Sequence, residues 1–210
     1  EHGDHDHHAH GDHDHHAHGD HDHHAHGDHD HHAHGDHDHH AHGDHDHHAH
    51  DTDTVGVAVL TVSSSRTAAD DPSGDRIVDA FDAAGHETVA RELVDDDREQ
   101  VREAVDRLVA REAVDAVVTT GGTGVTPDDV TPDAIEPRFE KRLPGFGELF
   151  RRLSYEEVGA RTVGSRATAG IVDDTLVCCL PGSTNAVTLG VESVLLPAIG
   201  HLTGLATRRE

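Results

Sequence analysis

Three short runs in this chain are apolar with no strict alternation: VGVAVLTVS (Val55–Ser63), VDAVVTT (Val114–Thr120) and TLVCCL (Thr175–Leu180). A strand with one face in water alternates apolar and polar residues, whereas one covered on both faces reads as a continuous β-branched run. Such strands belong to parallel sheets with helices on either side, and helical patterns lie between them here. Either Asp71 or Ser73 can cap a first helix whose apolar face is Ile77, Val78, Phe81 and Ala84, with Gly85 as its stop. Residues 97–112 read as a second helix, with Val101, Ala104, Val105, Leu108 and Val109 on one stripe. Its opposite face carries Glu99 with Arg102 and Glu103 with Arg107 at helical spacing. His86–Val94 reads as a more exposed strand between the two helices. Further helices are expected from near Pro132, from Gly147 to about Val158, and over Ala186–Ile199, which has apolar residues on more than one face. The predicted class is α/β, a three-layer sandwich around a mostly parallel sheet.

The pattern begins only after residue 50. Residues 3–50 are six copies of GDHDHHAH, and 25 of the 27 histidines precede Asp51. With no aliphatic side chain larger than alanine, this segment cannot bury enough surface to offset its ordering entropy and is expected to stay disordered. Residues 51–210 have the length of one domain with a real core. Each repeat offers four imidazoles, His5, His7, His8 and His10 in the first copy, which suit Ni²⁺ or Zn²⁺. The alternative is a solvated repeat that binds such ions only incidentally.

Charge narrows the partners. Thirteen acids and no Lys or Arg precede Asp51, so half of the formal −26 lies before the domain and half in it. A strongly acidic domain argues against nucleic acid, whose phosphates need basic partners. Of the 16 basic residues all but Lys141 are Arg, a composition that resembles proteins of extreme halophiles, with an ordinary acidic protein as the alternative. Apolar runs such as Val55–Leu60 fall far short of the roughly 18 residues of a membrane span, and the N-terminus has no signal-peptide pattern. A cytoplasmic location is expected. Adjacent Cys178 and Cys179 lie in a strand and are read as buried reduced thiols.

In parallel sheets, ligands bind beyond the carboxyl ends of the strands. Three loops follow buried strands directly: VSSSR, GGTG and PGS. Gly121, Gly122 and Gly124 allow close backbone approach and an anion-binding nest, and Thr123 adds a hydroxyl. No Lys follows, so this is not a Walker loop. The nearby acids Asp128, Asp129 and Asp133 suggest a divalent cation bridging carboxylate and phosphate, though they could equally be helix caps and first-turn acids. A nucleotide with its magnesium satisfies both features.

TTGGTGVTPDDVTPDA (Thr119–Ala134) resembles the signature of the MogA/MoaB family of molybdenum-cofactor biosynthesis proteins, and the likeness runs along residues 55–200. LTVSSSR followed by DPSG is similar to the family's first strand and loop, while PGFGELFRRLSYEEVG, SRATAG and LPGSTNAV resemble the MoaB branch. The resemblance implies a molybdopterin adenylyltransferase that transfers AMP from ATP to the terminal phosphate of molybdopterin with Mg²⁺. It implies a homotrimer or hexamer, and a downstream metal-insertion enzyme as a partner. Carried over by position, Asp96 and Asp129 match the acids tied to magnesium and nucleotide, and Gly121–Gly124 the phosphate loop, with Ser63 beside it. Ser165, Arg166, Pro181, Gly182 and Ser183 match the region that receives the pterin and its phosphate. The family often has Asp or Asn where this chain has Ser64. Relatives that lost the transferase activity lack the Asp96-type acid, which this chain keeps.

Overall fold

The computed structural model describes residues 51–208; the repeat segment, with the expected metal ligands His5, His7, His8 and His10, lies outside the described residues. The elements in chain order are β1 (Gly56–Val62), α1 (Pro72–Ala83), β2 (Glu87–Val94), α2 (Arg98–Val109), β3 (Ala116–Thr120) and α3 (Thr131–Ile135). They continue with β4 (Lys141–Arg142), α4 (Pro144–Val158), β5 (Thr168–Val172), β6 (Thr175–Leu180), α5 (Thr184–Gly190) and α6 (Ile199–Ala206). The six strands form one sheet in the order β2-β1-β3-β6-β5-β4. β2, β1, β3 and β6 run parallel; β5 pairs antiparallel with β6, and β4 pairs antiparallel with β5.

The expected three layers are present, because successive strand residues face opposite sides. Val57 and Val59 of β1 meet Ile77 and Phe81 of α1, Phe150 of α4 and the α5–α6 segment. Ala58, Leu60 and Val62 meet Val101, Val105 and Leu108 of α2 and Ile135 of α3. All seven residues of β1 and all six of β6 are buried, as their unbroken apolar sequences require. Cys178 and Cys179 are free and buried, and burial pushes the Cys179 thiol up to about 12.

Three details differ from the sequence reading. β5 was not expected; it returns to β6 through Asp173 and Asp174, both at positive φ (46° and 66°), the geometry of a two-residue hairpin. Its central Gly170 is required because a Cβ there would sit 2.4 Å from the Phe139 ring. The single C-terminal helix is two helices, separated by a π turn (Val191–Leu195) and Pro197, whose ring cannot continue the ladder. Finally, Arg107 does not pair with Glu103. It turns to Glu92 on β2, at 3.1 Å, where Arg111 joins it at 2.8 Å.

Local signals elsewhere are met. Asp71, not Ser73, caps α1 by accepting the Gly74 N–H at 3.0 Å, and Gly85 ends the segment at φ 87°. Among the described residues no single helix is long and apolar enough to cross a membrane.

Candidate functional site

Four parallel strands put four loops on one edge of the sheet, those after β1, β2, β3 and β6. The antiparallel β5 brings the residues just before it, Ser165 and Arg166, to the same edge. Strand order reverses between β1 and β3, so the loops of Ser63 and Gly121 flank the switch point where open sheets bind ligands.

The glycine loop leaves β3 in a conformation closed to side chains. Gly121 and Gly122 have φ of 104° and 63°, and a Cβ on Gly121 would lie 2.2 Å from the Val62 carbonyl oxygen. Thr131, at the start of α3, ties the loop down: its hydroxyl donates to the Gly121 carbonyl at 2.8 Å and its N–H to that of Gly122 at 3.0 Å. The Gly121 N–H donates to Leu180 at 3.0 Å, and the Gly124 N–H bonds the Asp129 carboxylate. Among the described residues the amides of Gly122 and Thr123 make no hydrogen bond to the rest of the chain.

Asp129 folds the loop on itself. Its Oδ2 accepts from the Thr126 N–H at 2.8 Å and the Thr126 hydroxyl at 2.7 Å. Burial pushes this carboxyl up, but the bonds from Thr126 and Gly124 and the nearby Arg166 charge outweigh it and hold it below its ordinary value. Arg166 reaches across from the start of β5. Its Nε donates to the Gly124 carbonyl at 2.7 Å, one Nη to the Asp129 carbonyl and the other to Asp133 at 2.7 Å. Its N–H donates to the Thr123 carbonyl at 2.9 Å. Its guanidinium thus braces the glycine loop, while Arg166 also lines a cavity beside Ser165.

Asp96 follows β2 and faces the loop after β1. Its carboxylate accepts the Ser64 N–H at 2.7 Å, and its own N–H donates to the Ser64 hydroxyl at 3.1 Å. Ser63 precedes this pair, half-buried, with its N–H on Val94 at 2.9 Å.

The Pro181–Ser183 loop rests against the glycine loop: Thr120 donates its hydroxyl to the Pro181 carbonyl at 3.0 Å, and a Cβ on Gly182 would lie 3.2 Å from the Gly121 Cα. Pro181, Ser183 and Ser165 line one cavity of about 620 Å³ together with Phe150, Arg161 and Asn185. Arg161 and Asn185 went unnoticed in the sequence, where nothing distinguishes them from surface residues.

A second unnoticed group centres on Asp71, whose side chain is 1 % exposed. It accepts from the Thr61 hydroxyl at 2.6 Å, Arg91 at 3.0 Å and Arg66 at 3.3 Å, besides capping α1. Burial pushes its carboxyl up, yet Thr61, Gly74 and Arg91 together hold it below its ordinary value.

The donor chemistry fits a hard divalent cation. Asp96 and Asp129 contribute carboxylate oxygens with lone pairs beyond the hydrogen bonds they accept. Among the described residues no three His, Cys, Asp or Glu side chains gather into a metal cage, and Mg²⁺ needs none, being held by one or two carboxylates with phosphate and water.

A family model described as "Probable molybdopterin binding domain" matches residues 58–201. Molybdenum cofactor biosynthesis protein B of Bacillus subtilis is 42% identical over 151 residues, 71% of this chain and 89% of that one. A crystal structure of molybdenum cofactor biosynthesis protein B superposes with a TM-score of 0.73 at 39% identity, covering 74% of this chain and 98% of the other. The tungsten cofactor synthesizing protein MoaB from Pyrococcus furiosus superposes with a TM-score of 0.67 at 39% identity over the same shares.

Proposed function

The chain belongs to this molybdopterin-binding-domain family of MoaB and MogA proteins, and on that premise we propose that it transfers AMP from ATP to the terminal phosphate of molybdopterin. The broader role, in molybdenum or tungsten cofactor biosynthesis, is that of its MoaB-type relatives. One observation carries the finer reading: Asp96 and Asp129 sit on the loops after β2 and β3, at the sheet edge that also carries the Pro181–Ser183 loop, which with Ser165 lines a cavity of about 620 Å³.

In the proposed reaction an oxygen of the acceptor's terminal phosphate attacks the α-phosphorus of ATP. The new P–O bond forms as the bond to the β-phosphate oxygen breaks, and pyrophosphate leaves with that electron pair. Such transfers require positioning and charge neutralisation more than covalent help from the protein. The amides of Gly122 and Thr123 hold nucleotide phosphate, with Ser63 at the rim. Ser165, Pro181 and Ser183 form the acceptor's cavity, where Arg161 supplies positive charge. Mg²⁺, held by Asp96 and Asp129, would neutralise charge on the phosphates.

Turnover of ATP plus molybdopterin, followed by pyrophosphate release with and without Mg²⁺ at low and molar salt, tests this. Absence of pyrophosphate under every condition would sink it. A second reading, a molybdopterin binder that does not adenylylate, draws on the same two carboxylates, since each already serves the fold as a hydrogen-bond acceptor, Asp96 for Ser64 and Asp129 for Thr126. Molybdopterin binding without turnover would establish that reading instead.

A further inference from the structure

The buried Asp71 group does more than cap a helix, because one of its cations reaches the far loop. Arg66 places one Nη on the Asp71 carboxylate at 3.3 Å and the other on the Gly182 carbonyl at 2.8 Å. Ser73, in the first turn of α1, donates its hydroxyl to the same carbonyl at 2.8 Å. A single backbone oxygen after β6 is thus held by two side chains more than a hundred residues earlier in the chain. On its other flank the loop is held by Thr120 and packed on Gly121.

That clamp sets an orientation. In a planar trans peptide the C=O and the following N–H point in opposite directions. Fixing the Gly182 carbonyl toward Arg66 and Ser73 therefore turns the Ser183 N–H to the opposite side of the loop. A guanidinium suits this bridge because its fork carries separate donors in fixed geometry, whereas an ammonium is a point charge on a flexible stem. Arg91 is the internal contrast. It also bonds Asp71, at 3.0 Å, but its other bonds go to Asp75 and the Asp71 backbone, away from Gly182.

We propose that Arg66, with Ser73, is a positioning residue for the acceptor substrate: by fixing the Gly182 peptide it aims the Ser183 amide at the acceptor's phosphate. This rests on the reading that the Pro181–Ser183 loop receives that phosphate. Arg66 itself does not touch the reacting atoms; it acts through the loop.

The test compares Arg66→Gln, Arg66→Lys, Ser73→Ala and Arg91→Gln in the full chain. Losing a charge-assisted bond that orders the loop should raise the KM for molybdopterin about tenfold in both Arg66 variants and less in Ser73→Ala, with the KM for ATP unchanged. Arg66→Lys keeps the charge, so failure to rescue identifies the fork geometry as the cause. Arg91→Gln should lower the unfolding midpoint at least as much as Arg66→Gln while leaving both KM values in place. Amide hydrogen exchange at Ser183 needs no substrate, so it separates failure of the clamp from failure of the adenylyl-transfer reading: it should quicken in the Arg66 variants and not in Arg91→Gln. Equal acceptor KM increases in Arg66→Gln and Arg91→Gln, or unchanged Ser183 exchange in Arg66→Gln, would overturn the proposal.

Discussion

Ser64 and Asp96 close a reciprocal pair: the Ser64 N–H bonds the Asp96 carboxylate at 2.7 Å while the Asp96 N–H bonds the Ser64 hydroxyl at 3.1 Å. The residues sit 32 positions apart on the loops after β1 and β2, so each holds the other's loop at the sheet edge. The pair gives Ser64 a role despite its departure from the family's Asp or Asn, because any short side chain with an acceptor oxygen can take the Asp96 N–H.

It follows that Ser64→Ala should reduce transfer by removing that acceptor, by about tenfold for one hydrogen bond that positions a reacting group. Ser64→Asn should restore most of the rate, since its amide oxygen can accept in the same place. Steady-state rates for the two variants decide it. Equal activity in Ser64→Ala and the unmodified protein would mean that the pair is incidental.

Asp129 and Asp128 are neighbours with different surroundings. Asp129 is held by Thr126 and Gly124, whereas Asp128 is exposed. Asp129→Asn and Asp96→Asn remove charge with little change of shape, and each should lower turnover by orders of magnitude through lost metal-assisted stabilisation, several kcal/mol on the order expected of such ions. Asp128→Asn should be mild. If Asp128→Asn abolished transfer and Asp129→Asn did not, the assignment of the metal-holding acid would be reversed.

Why the first of these acids was readable in the sequence and other groups were not follows from distance along the chain. The three buried strands and the glycine loop announce themselves within a few residues, because continuous burial and positive φ each restrict residue type locally. β5 lacked that signal: five residues with Gly170 at the centre look like a loop unless the Phe139 ring packed on it is known. β4 is two charged residues, Lys141 and Arg142, paired only because β5 is there. The Asp71 group is hidden for the same reason, since Arg91 lies 20 and Gly182 more than a hundred residues from the side chains they meet. Pro197, by contrast, is a local signal of the C-terminal break, although the apolar pattern runs through it.

The histidine repeat should bind metal without serving catalysis. Titration of the full chain with Ni²⁺ or Zn²⁺ should give several ions per chain, with affinity weakening as pH falls through about 6.5, where imidazole protonates. A chain beginning at Asp51 should keep its transfer rate when Mg²⁺ is supplied. Loss of activity on that truncation under metal-replete conditions would tie the repeat to the reaction.

Assembly is expected to be trimeric, or a dimer of trimers, as the family resemblance implies. α4 exposes Leu149 and Tyr155 at 41% and 61%, and α6 exposes Leu205 at 43%, apolar surface that a neighbouring copy would cover. Light scattering in molar salt checks the mass, and a monomer rejects the expectation.

His86 gives the fold a dependence on pH that has nothing to do with the site. Its Nδ1 accepts the Val55 N–H at 3.3 Å, and its ring lies 5.9 Å from that of Phe81. An imidazole accepting through Nδ1 must be unprotonated there, and burial lowers its pKa below the ordinary 6.5. The neutral ring is therefore favoured in the folded chain. Its contribution is complete above the unfolded value near 6.5 and is lost as pH falls through the lower folded value. His86→Gln keeps a side-chain oxygen that can accept from Val55 but does not titrate. Unfolding midpoints of the two full-length chains should accordingly converge as pH drops from 7.5 to 5, with the unmodified protein losing more. The repeat's histidines are common to both chains and cancel in the difference. Parallel pH profiles for the two would show that His86 does not contribute this dependence.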